Sequence, residues 1–98
     1  MTISIHTPVV TIAGTTSSAN VALPQSAAKY IRVVNGSTTN IVYVNAGGSS
    51  VTATTANFAL APFESRNLER DVNTDTYVAA IMDAGTAKIA FMPVAEAD

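Results

Sequence analysis

The feature that most constrains this chain is the spacing of its breakers. Gly, Pro, Asn and Ser interrupt short β-branched runs every eight to twelve residues, and helical periodicity is weak throughout. Short strands at that spacing predict an all-β fold rather than a helical or mixed one. At 98 residues the chain makes one domain. A chain of this size buries roughly two thirds of its unfolded surface, enough for one core. The expected fold is therefore a small single-domain antiparallel β-sandwich or barrel of about 6–8 strands.

The segments follow from local patterns. Ile3, Ile5 and Val9 alternate at the start of an uncharged segment that Pro8 interrupts. Proline inside a strand implies an edge or a bend, so residues 1–13 are expected to be an N-terminal arm or edge strand. Residues 14–98 then form the sandwich domain, ending in a short acidic tail. Val21-Ala22-Leu23 is a short strand stopped by Pro24. Tyr30 to Val34 and Ile41 to Val44 are expected to form a hairpin around Asn35-Gly36, a dipeptide that tolerates positive φ. Val51 to Thr54 is a further short strand. Thr76 to Met82 and Ala87 to Phe91 are expected to form a closing hairpin around Asp83-Ala84-Gly85. The expected core is Ile31, Val33, Val42, Val44, Ile81, Ile89 and Phe91.

Composition narrows the function. Only 12% of residues are charged, against 48% hydrophobic, and soluble domains typically carry about twice that charge. The first 28 residues hold no formal charge, and six of the twelve charges lie between Glu64 and Asp75. A surface of Thr, Ser, Asn and Ala is either neutral and hydrated or covered by neighbours. With five Lys and Arg and a net charge of −2, the chain lacks the basic stripe that nucleic acid requires. No apolar run is long enough to span a membrane, and the N-terminus lacks a basic region and cleavage site of the secretory kind. Without cysteine, disulfides and thiolate zinc sites are excluded.

Catalytic chemistry finds little support. His6 is the single histidine and sits in a threonine-rich segment with no carboxylate beside it in sequence, so it reads as a polar edge residue. Ser17 and Ser18 stand in no nucleophile pattern. Asp71, Asp75 and Asp83 do not have the spacing of a calcium loop and read as turn residues that accept nearby backbone amides. Gly47-Gly48-Ser49-Ser50 lacks the lysine of a phosphate loop. Tyr30, Tyr43 and Tyr77 admit a sugar-stacking reading, but each lies within a strand and there is no tryptophan. No enzyme activity and no cofactor are expected.

Well over half of the chain, YIRVVNGSTTNIVYVNAG, VTATTANFALAPFESRNLERD and TYVAAIMDAGTAKIAFMP, resembles small β-sandwich virion proteins of tailed bacteriophages, especially capsid decoration or cement proteins. The likeness lies in strand pattern. Where that pattern would place Gly after Pro62, this chain has Phe63. The resemblance implies a protein made in the host cytoplasm that sits on the capsid surface of the virion. It implies the major capsid protein as partner and a homo-oligomer, with a trimer favoured, and neither nucleic acid nor membrane as a partner. The alternatives are another phage virion component (tail, head–tail joining or fibre base) or a carbohydrate-binding module.

The apolar residues of the arm (Ile3, Ile5, Val9, Val10 and Ile12) are the first candidates for a capsid or oligomer interface. Val78 and Met82 join them, because Thr76 to Met82 is apolar on both faces and such a strand sits between layers or under a partner. Arg66 and Arg70, from the charged stretch, complete the set.

Overall fold

A computed structural model describes residues 7–97. It is all-β, with strands β1 (Val10–Gly14), β2 (Ala19–Ala22), β3 (Tyr30–Asn35), β4 (Val42–Gly47), β5 (Phe58–Leu60), β6 (Ser65–Glu69), β7 (Tyr77–Met82) and β8 (Ala87–Val94). Two four-stranded antiparallel sheets, β1-β8-β3-β6 and β2-β7-β4-β5, face each other. The pairs β1–β8, β2–β7, β3–β6 and β4–β5 are the rungs of one antiparallel ribbon. Rolled into two sheets, that ribbon has the eight-strand jelly-roll order.

Only β4 and β5 are both consecutive and paired among the described strands. The two hairpins expected from sequence are not hairpins. β3 and β4 lie in opposite sheets, as do β7 and β8, so each connection arches across the sandwich. Asn35-Gly36 owes its place to something other than positive φ, which neither residue adopts. Asn35 is fully buried, and its Nδ2 donates to the carbonyls of Asn40, Leu60 and Ala61 at 3.0, 3.2 and 3.0 Å. Its Oδ1 accepts the Ser37 amide at 2.9 Å. Gly36 donates to the Lys88 carbonyl at 3.1 Å, and a Cβ at Gly36 would collide with that same oxygen. The dipeptide is a crossing point between strands, held by an amide and by the missing side chain. Val51 to Thr54 is not a strand either.

Alternation puts one row of each strand inward. The core joins Ile12, Ile31, Val33, Ile89 and Phe91 of the first sheet to Val42, Val44, Leu60, Val78, Ala80 and Met82 of the second. Six of the seven expected core residues are there. Ile81 is not, because the faces of β7 are the reverse of the expectation. Register decides this: Val78, Ala80 and Met82 stand opposite Ala46, Val44 and Val42 of β4. That row is the inward one.

The outer face of β7 is also occupied. Ala79 is completely buried, flanked in register by Asn20 of β2 and Asn45 of β4. Asn20 Nδ2 donates to the Ser49 and Val51 carbonyls, each at 3.1 Å. Asn45 Nδ2 donates to the Thr52 carbonyl at 3.0 Å, and the Ala53 amide donates to Ser18 Oγ at 2.8 Å. The loop of residues 48–57 is thereby strapped over the middle of this sheet. The chain covers part of its own apolar outer face.

Candidate functional site

The interface residues expected from sequence separate into three groups. Ile3 and Ile5, with His6, lie outside the described residues. Ile12, Val78 and Met82 are core residues and offer nothing to a partner. Val10 is half-buried against the core, opposite Phe91, and Val9 just before it is 49% exposed. The strand part of the expected arm therefore pairs within its own sheet. The two-faced apolarity of β7, one of the two motives with low charge for expecting an oligomer, is met in part inside the chain, by the core on one side and by residues 48–57 over Ala79 on the other.

The two arginines have opposite fates. Arg70 is only 8% exposed. Its Nε donates to the Ala28 carbonyl at 3.0 Å, Nη1 to Asp75 at 3.1 Å and Nη2 to Ser26 at 2.9 Å. A planar guanidinium suits such a fork of acceptors. It ties the β2–β3 loop to the β6–β7 loop and is a structural cation, not an interface residue. The carboxylates around it make turns: Asp71 Oδ1 accepts the Asn73 and Thr74 amides, and Asp75 Oδ2 accepts the Asp71 amide. Among the described residues no three His, Cys, Asp or Glu side chains gather as a metal site.

Arg66 is at the surface, and its surroundings form the candidate site. β5 and β6 are the edge strands on one flank of the sandwich. Arg66 stands opposite Val33, and Phe58 opposite Val44, so both belong to inward rows. At an edge the inward row runs out of cover, and both side chains reach water. The Arg66 guanidinium carbon lies 5.9 Å from the Phe58 ring centroid, within cation–π range, and Nη1 pairs with Glu64 Oε2 at 3.4 Å. Phe58 also lines a cleft of about 340 Å³ between the two sheets, with Val44, Leu68, Glu69, Arg70 and Asp75 among its other walls.

Phe63 is the residue sequence reasoning marked only as a departure. It is 70% exposed. Glu64 donates to the Ala61 carbonyl at 3.0 Å, closing a turn over Ala61-Pro62-Phe63-Glu64. Pro62 holds the second position, and Phe63 takes φ +62° at the third, where such turns normally require Gly. Among the described residues no other non-glycine has positive φ. The Phe63 amide donates to the Ser37 carbonyl at 3.0 Å, and Glu64 Oε1 accepts the Ala61 amide at 2.8 Å. These bonds hold the ring out from the β3–β4 end of the flank. The left-handed conformation costs an L-residue about 1–2 kcal/mol, and little burial offsets that cost here. The sequence signal was the absence of Gly after Pro62.

Comparison with known proteins adds no relative: no family model matches the chain, and no curated protein or solved structure matches it.

Proposed function

We propose that this protein is a virion structural component, a bacteriophage capsid decoration protein that docks on major capsid protein subunits through its β5–β6 flank. The observation that carries the reading is Phe63, a strained and exposed aromatic on a turn where Gly would be cheaper. Backbone strain at a surface position persists where surrounding structure enforces it, and it clusters at binding sites. Exposed aromatics beside an arginine are the composition of interface anchors. Full burial of a Phe side chain contributes roughly 1.5–3 kcal/mol. Seating the exposed part of Phe63 in a partner therefore supplies part of that, with Phe58 and Arg66 adding contact area on the same flank.

The mechanism is thermodynamic. Each copy bridges neighbouring shell subunits, so splitting the shell requires breaking its contacts as well. Repetition over the head makes modest single contacts collectively strong, because a tethered copy rebinds at high effective concentration. The low charge of the chain and its resemblance to decoration proteins favour this reading over a sugar-binding module, since the three tyrosines are half-buried in strands.

Quantitative mass spectrometry of the particle that co-purifies with the protein tests the assignment. Copy number on the scale of the capsid subunits is expected. A few copies per particle would move the protein to the neck or tail, and its absence from particles would end the proposal.

A further inference from the structure

Asn35 and Gly36 form the chain's single Asn-Gly pair, and their chemistry goes beyond their role in the fold. In a flexible chain the amide nitrogen after asparagine, once deprotonated, attacks the side-chain Cγ. The new N–C bond closes a five-membered succinimide, and Nδ2 leaves as ammonia after taking a proton from water. Water then adds to one ring carbonyl and opens the ring to aspartate or isoaspartate. The net change is one water in and one ammonia out, with no oxidation. Glycine at the second position makes this fastest, because no Cβ shields the attacking nitrogen and the backbone bends freely.

The folded chain ties up both reactants. The Gly36 N–H donates to the Lys88 carbonyl of β8 at 3.1 Å. The leaving Nδ2 is fixed by three carbonyls, and Oδ1 is fixed by the Ser37 amide. The side chain has no exposure to the water that must open the ring.

The same geometry rejects the product. An aspartate would aim a second carboxylate oxygen at the carbonyls of Asn40, Leu60 and Ala61. These are all acceptors, with no proton to share, and the site is fully buried, where an unpaired charge is strongly disfavoured. Isoaspartate would also route the main chain through the side-chain carbons at the point where β3 ends.

We infer that Asn35–Gly36 is a modification site gated by folding: hydrolytic deamidation is shut off in the native protein, proceeds whenever the β3–β4 arch is open, and bars the modified chain from refolding. The pair converts reversible opening into irreversible loss, a form of kinetic control over the chain's lifetime. This inference does not depend on the docking reading.

The test uses the wild-type chain, so it does not hang on a variant that fails to fold. One sample is held folded and another in denaturing urea, both in the same mildly alkaline buffer. Peptide mass spectrometry follows conversion at Asn35, with the other asparagines as internal controls. Conversion is expected to be at least about tenfold slower in the folded sample, as for any reaction that waits on opening. The urea sample is then returned to native buffer, and the compact fraction is isolated by gel filtration. Chains converted at Asn35 should be depleted from it relative to the starting mixture. Equal conversion rates in the two samples would overturn the inference, and so would converted chains appearing in the compact fraction in their starting proportion.

Discussion

Replacing Arg70 by alanine separates a structural cation from an interface one. The native guanidinium makes three hydrogen bonds to main-chain carbonyls of two loops and is almost wholly out of water. Hydrogen bonds to a charged group contribute about 1.5–3 kcal/mol each. The three share one group, so they do not add fully, and carbonyls on loops recover some water once released. A loss of about 3–4 kcal/mol is the resulting expectation for Arg70→Ala. Domains of this size have a total stability of roughly 5–15 kcal/mol, so the variant should lose a substantial share of it. At about 4–8 °C per kcal/mol, its Tm should fall by roughly 12–30 °C. Arg70→Lys keeps the charge but cannot reach all three carbonyls with one ammonium, so it should lie between the two. Thermal and urea unfolding followed by circular dichroism measure all three proteins. An Arg70→Ala variant with the wild-type midpoint would refute the structural assignment and return Arg70 to the interface.

Three further outcomes follow from the same geometry. Gly36→Ala should cost at least about 2 kcal/mol, since the added methyl meets the Lys88 carbonyl and overpacking displaces backbone; urea unfolding would register it, and a neutral result would mean that β8 can shift. Phe91→Ala, which empties the centre of the core, should cost about 3–5 kcal/mol by the same measurement. At Phe63 the usual order is expected to reverse, with Phe63→Gly more stable than Phe63→Ala by up to about 1 kcal/mol, because Gly alone relaxes at φ +62°; an alanine variant as stable as the glycine one would argue against strain at that turn.

Much of the fold was legible because alternation reports burial directly. Tyr30 to Val34 and Ala87 to Phe91 show their inward rows in sequence, and those rows are inward in the structure. Alternation does not say which sheet a strand joins. A turn dipeptide argues for the nearest partner, and here the partners of β3 are β6 and β8, far away in sequence. β7 failed differently: Tyr77, Ala79 and Ile81 are as apolar as Val78, Ala80 and Met82, so the pattern carries no sign. The covering of Ala79 by residues 48–57 depends on Asn20, Asn45 and Ser18, whose hydrogen bonds have no periodic signature. At the candidate site, Arg66 was legible as a charge, whereas its partner Phe58 was not, because their meeting needs two sheets to close. Arg70 looked like Arg66 in sequence and differs only through the loops that fold around it. Phe63 was visible as a residue out of place, and its meaning came with its backbone angle.

The central claim, that the β5–β6 flank docks the protein on a capsid, is tested most directly by adding wild-type and Phe63→Gly proteins to particles lacking this chain. Co-sedimentation gives the bound copies as a function of protein concentration. The wild-type protein should saturate the particles, while Phe63→Gly, folded and no less stable than Phe63→Ala, should bind at least about tenfold more weakly, as the loss of an anchor of roughly 1.5 kcal/mol requires. Equal binding by the two proteins would contradict the account.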